Sequence, residues 1–138
     1  MLNLLEDHKV AIASLEMKPT ETLWRMCLQA AGTGNPSRQF VERFSDYTDR
    51  NLLIYDQLDT VKSDKILGFV HYCASVMKCT HIVIDSLTKC GLGTADRDKE
   101  ADFIDRLQWA AKSLNCHIHL VCHVRKPESR GEDYRPNK

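Results

Sequence analysis

The chain predicts an α/β fold: a mostly parallel sheet with crossover helices. Three observations predict it. Four short apolar segments, 10–14, 52–55, 82–84 and 118–122, are bounded by polar residues and read as strands. Each is separated from the next by a stretch with helical apolar periodicity, and that alternation favours parallel pairing through crossovers. Within the third segment, Ile82, Val83 and Ile84 are consecutive and β-branched, the pattern of a strand covered on both faces rather than on one.

The elements follow in order. After the first strand, Pro19 suits the first position of a helix and Glu21 its positive end, while Leu23, Cys27, Ala30 and Ala31 form an apolar stripe. Gly32 to Asn35 end that helix. Asn35 and Pro36 then read as the cap and first turn of a second helix, with Phe40, Val41 and Phe44 inward. Ile66, Val70, Cys73, Ala74 and Met77 mark a third, and Phe103, Leu107, Ala110, Ala111 and Leu114 a fourth. Trp24 and Trp109 fall beside these stripes, at a core margin or against a neighbouring subunit. Near the start, Leu2, Leu4 and Leu5 look like the last turns of an amphipathic helix that begins upstream. Residues 127–138 are polar, contain Arg130, Gly131, Arg135 and Pro136, and read as a loop.

Composition narrows the function classes. With 138 residues the chain can bury a sizeable core as one domain or part of one. Nineteen Lys plus Arg balance nineteen Asp plus Glu, so no global field draws the protein to nucleic acid or to an acidic membrane, and any such contact is local. The six cysteines form no C-x-x-C pair and several occupy apolar positions, which fits reduced, buried thiols and a cytoplasmic setting. No apolar run approaches the ~20 residues of a membrane-spanning helix.

Three polar residues stand at the exits of three predicted strands: Glu16 after VAIAS, Asp85 after HIVI and His123 after HIHLVC. Strand exits of a parallel sheet share one edge, where ligands of open α/β sheets bind. Each residue also has a structural reading. Asp85 can cap the next turn, and His123 can be a satisfied strand-end histidine. The coincidence of all three favours a shared site. A zinc site from His117, His119, Cys116 and Cys122 is not expected, since residues on the two faces of one strand cannot converge on a tetrahedral ion.

At these residues the chain resembles a known family. ASLEMKPTETLWRM, residues 13–26, is similar to the strand, S-L-E-M and R-M pattern that follows the P-loop helix in DnaB-type replicative helicases. HIVIDSL, residues 81–87, resembles their Walker B strand, and LVCHVRKP, residues 120–127, the motif after it, in the form seen in phage primase-helicases. The resemblance implies a RecA-like core that binds Mg²⁺ and ATP. It makes Glu16 the catalytic residue that polarises the attacking water, since a carboxylate held in line is enough for chemistry of this kind. It makes Asp85 the residue supporting Mg²⁺, with His123 sensing the γ-phosphate and Ser86 counted beside it in the nucleotide site. Loops 88–99 and 125–135 would touch single-stranded DNA, the second through Arg125, Lys126 and Arg130. The partners implied are single-stranded DNA, further copies in a hexameric ring and a primase, in the cytoplasm of a bacterium or a phage-infected cell.

The chain departs from the family in two respects. It contains no G-x-x-x-x-G-K-[ST], and neither Gly32-Thr33-Gly34 nor Gly91-Leu92-Gly93 has the lysine and hydroxyl at the needed spacing. The expectation is a partial helicase ATPase core over residues 1–138, with 1–8 as the tail of the P-loop helix and 124–138 as a basic loop. The arginine-finger end is missing too, and the isolated chain should be inactive. Other readings are a RecA-like recombinase or clock-type ATPase, a non-catalytic assembly or regulatory module of a helicase ring, and a domain-swapped association through an open sheet edge.

Overall fold

The computed structural model describes residues 2–92 and 97–123. Its sheet contains β1 (Val10–Ser14), β2 (Leu52–Ile54), β3 (His81–Asp85) and β4 (His117–Val121) in the order β2-β1-β3-β4, with every neighbouring pair parallel. The helices are α1 (Pro19–Ala31), α2 (Arg38–Asn51), α3 (Ser63–Ser75) and α4 (Arg97–Ser113). The expected α/β architecture is the one observed.

Strand alternation divides the core into two layers. Ala11 and Ala13 of β1 with Ile82 and Ile84 of β3 face one side, where Ile66 and Val70 of α3 and Phe103 and Leu107 of α4 cover them. Val10, Ile12 and Val83 face the other side and meet Met26 and Cys27 of α1 and Phe44 of α2. Both central strands are thus covered twice, as their unbroken apolar runs require.

Local chemistry explains the helix ends. Pro19 opens α1, and Gly32 closes it at φ 63°, its N–H donating to the Gln29 carbonyl. The start of α2 corrects the sequence expectation. Its cap is Ser37, whose hydroxyl accepts the Phe40 N–H at 3.3 Å, because that side chain lies three residues before the amide it satisfies, whereas Asn35 and Pro36 precede the cap. Met77 and Leu114 pack on the core from just beyond α3 and α4. Leu2–Leu5 form a short 3-10 helix rather than an α-helical end; Leu5 is buried, and its carbonyl accepts Asn51 Nδ2 at 3.2 Å.

Strand β4 is less covered than its apolar sequence implied. Ile118 and Leu120 pack on the α3/α4 layer, but His117, His119 and Val121 on the opposite face are exposed. Among the described residues β4 pairs with β3 alone. Five of the six cysteines are buried and all are free; Cys122, just past β4, is exposed. Trp24 is 46% exposed and Trp109 65%. No described helix is long and apolar enough to cross a membrane.

Candidate active site at the strand exits

The register of the sheet builds the site. Ser14, Asp85 and Val121 are aligned partners on β1, β3 and β4, so the three strands end level. Just beyond that line the Leu15 N–H donates to the Asp85 carbonyl at 2.8 Å, tying the exit of β1 to that of β3. The next residue, Glu16, is thereby held beside the chain that leaves β3.

Ser86 is fully buried, and its hydroxyl donates to Glu16 Oε1 at 3.1 Å. The same hydroxyl oxygen lies 2.7 Å from Thr88 Oγ1. His123 Nε2 is 3.6 Å from Glu16 Oε1, too long for a hydrogen bond but within ion-pair range when the imidazole is protonated. The Glu16 side chain keeps 41% of its surface in water. A carboxylate with one oxygen steered by a buried hydroxyl and its side chain still wet can accept a proton from a water molecule in front of it.

Asp85 faces a different way. It alternates with Ile84 and shares the sheet face of Val83, where it lines a cavity of 560 Å³ with Ser14, Met17, Thr22 and Arg25. Two hydroxyls of this cavity, Ser14 Oγ and Thr22 Oγ1, are buried without a hydrogen-bond partner. Buried polar atoms of that kind are few in folded proteins, and Ser14 is the register partner of Asp85 on the neighbouring strand. An oxygen donor set suits a hard cation such as Mg²⁺, which keeps much of its water and needs few protein ligands. Among the described residues no three His, Cys, Asp or Glu side chains are grouped to hold a metal alone. Arg25, which also lines the cavity, is paired with Glu21 at 3.0 Å across one helical turn. The residues present therefore fit the metal side of a Mg²⁺–nucleotide complex, while the chain carries no glycine-rich cradle for its phosphates.

Of the residues expected from sequence, Glu16, Ser86 and His123 come together, and Asp85 lies at the same edge facing the neighbouring cavity. Arg125, Lys126 and Arg130 lie outside the described residues, as does part of loop 88–99. Sequence reasoning missed Ser14 and Thr22. Ser14 is the last residue of β1 and had a usable signal, since a hydroxyl ending an otherwise apolar strand stands out. Thr22 had none, because a threonine in the first turns of a helix is unremarkable.

Comparison with known proteins agrees with this architecture. The sequence pattern of the AAA domain family matches residues 3–129. A solved structure of a DnaB-like replicative helicase, described with its interactions with primase, superimposes with a TM-score of 0.69 at 17% identity, covering 95% of this chain and 36% of that one. A second solved structure, described as an ATPase domain, superimposes with a TM-score of 0.64 at 16% identity, covering 83% of this chain and 46% of that one. The chain thus spans less than half the length of either. No curated protein matches. At these identities the likeness establishes the fold, which is RecA-like.

Proposed function

From the premise that the chain belongs to the AAA domain family, we propose that it is the central part of a helicase-type ATPase. In this reading the parent protein couples ATP hydrolysis between ring subunits to movement along single-stranded DNA. The observation that carries it is the convergence of Glu16, Ser86 and His123 on one sheet edge, with Asp85 beside them in a cavity that Ser14 and Thr22 also line.

Each residue then has a task. Glu16 positions and deprotonates the attacking water, and Ser86 fixes the carboxylate's rotamer. Asp85, with Ser14 near it, would hold Mg²⁺, whose contribution when bound is to neutralise charge on the β- and γ-phosphates. His123, 3.6 Å from Glu16, would link the state of the reacting phosphate to the DNA-contacting segment. That following segment, with Arg125, Lys126 and Arg130, would contact DNA phosphates. A hexameric ring, primase as a partner and a cytoplasmic location belong to the same reading. The solved relative described with primase supports the partner, and the absence of a membrane-crossing helix among the described residues accords with the location.

A second reading has an observation of its own. β4 has an unpaired outer edge among the described residues and the chain has no G-x-x-x-x-G-K-[ST], which suits a non-catalytic module that joins a helicase ring. One experiment separates the two. In the complete open reading frame that encodes this chain, ATP hydrolysis stimulated by single-stranded DNA should fall at least ~100-fold with Glu16→Gln, the usual size of a lost general base. Hydrolysis unchanged by Glu16→Gln, or absent in the complete protein, overturns the motor reading.

A further inference from the structure

At the opposite edge of the sheet from Glu16, four imidazoles gather. His81 and His117 open β3 and β4, His119 follows on the same face of β4, and His8 lies just before β1. His81 Nδ1 is 3.0 Å from His119 Nε2. The His81 ring is stacked on His117 with centroids 5.0 Å apart and planes 11° from parallel, and His8 closes the group at 4.7 Å from His81. Four histidines from three separate segments thus meet around one central ring.

We propose that this cluster is a proton-operated clasp that holds the edge strand β4 against β3 when neutral and releases it when charged. The hydrogen bond between His81 and His119 needs one ring nitrogen as acceptor, so it exists only while at least one of the two rings is neutral. A second proton turns it into two N–H groups facing each other. The His81–His117 stack suffers in the same way, as two imidazolium rings in van der Waals contact repel.

At the central ring the surroundings oppose an extra proton. Burial comes first and the charges of His8, His117 and His119 follow, and together they push the His81 pKa below its ordinary value. The other charged groups near the cluster are Glu6 and Asp7, in the turn before β1, whose charges also reach Tyr47 of α2, and Lys9, whose charge also reaches Cys79. Burial and the three neighbouring imidazoles all act on His81 in the same direction.

Release has a structural target. Among the described residues β4 has a single strand partner, and His117 and His119 on its outward face are exposed, so side-chain contacts across the β3–β4 ladder matter more here than at the doubly covered centre. The strand runs from the clasp at its start towards His123 beyond its end. The proposal stands whether or not the opposite edge binds a nucleotide.

The test is amide hydrogen exchange of β4 in the wild-type chain at about pH 7.5 and 5.5, with the histidine side chains titrated by NMR. The expected result is a fall of about fivefold in β4 protection, after correction for intrinsic exchange, while β1 protection holds; that is what a roughly tenfold difference in proton affinity between clasped and released forms yields over this range. In His117→Gln/His119→Gln the fall should vanish and His81 should titrate closer to an ordinary histidine. Both substituted positions are exposed. If that pair does not fold, His8→Gln, outside the strands, should lessen the fall. Protection of β4 that is independent of pH in the wild type, or that falls equally in the variants, overturns the proposal.

Discussion

Ser86 and Glu16, 70 positions apart in sequence, are joined by a 3.1 Å hydrogen bond from a fully buried hydroxyl to a carboxylate still partly in water. The asymmetry predicts unequal responses to substitution. Ser86→Ala removes the donor and the contact with Thr88, and should cost about 1 kcal/mol of stability, the usual net worth of one such bond. Glu16→Gln keeps an acceptor oxygen at the same place and should leave stability within about 0.5 kcal/mol. Urea midpoints at constant slope measure both, and equal losses would mean that the bond does not hold the site.

The turn after β3 makes a second test. Gly91 has φ 67°, and a Cβ added there would lie 3.0 Å from the Val61 carbonyl oxygen and 3.2 Å from Lys62 Cα, both backbone atoms that cannot move aside cheaply. Gly91→Ala should therefore destabilise by roughly 1–3 kcal/mol through strain and crowding together. Gly34→Ala, with nothing within 4 Å and no positive φ, should be close to neutral. Thermal melts of the two variants side by side decide the matter.

Buried thiols make the fold sensitive to alkali. Burial raises the Cys73 pKa to about 12, with the neighbouring Cys79 adding to it, and burial raises Cys90 to about 11. Cys79 and Cys116 are raised by burial as well. The folded values lie above the ordinary 9.0, so the unfolded chain loses its thiol protons first. Stability should hold below that value and fall as pH rises from 9.0 towards the folded values. Denaturant midpoints across that range test the sign. In a native sample at neutral pH, Cys122 should react with a thiol reagent well before the five buried cysteines, and simultaneous reaction of all six would contradict the packing.

Much of this fold was legible because its signals are local. All four strands fell within about two residues of their expected positions, since short β-branched runs have few other uses. Pro19 and Gly32 bracketed α1 as expected, each through its own backbone chemistry. The start of α2 was misplaced by two residues, because several polar side chains in succession can serve as a cap and only geometry shows that Ser37 reaches an amide.

What sequence alone determined about this protein is its fold class, its apolar stripes and the presence of Glu16, Asp85 and His123 at strand exits, because side-chain period and capping are settled within a few residues. Tertiary structure decided which of those residues meet. It gave Glu16 to Ser86, set Asp85, Ser14 and Thr22 around one cavity, left one face of β4 in water and drew His8, His81, His117 and His119 together. The reason is that strand order and register are set by the packing of the whole chain, and a contact across 70 residues has no trace in the residues on either side of it.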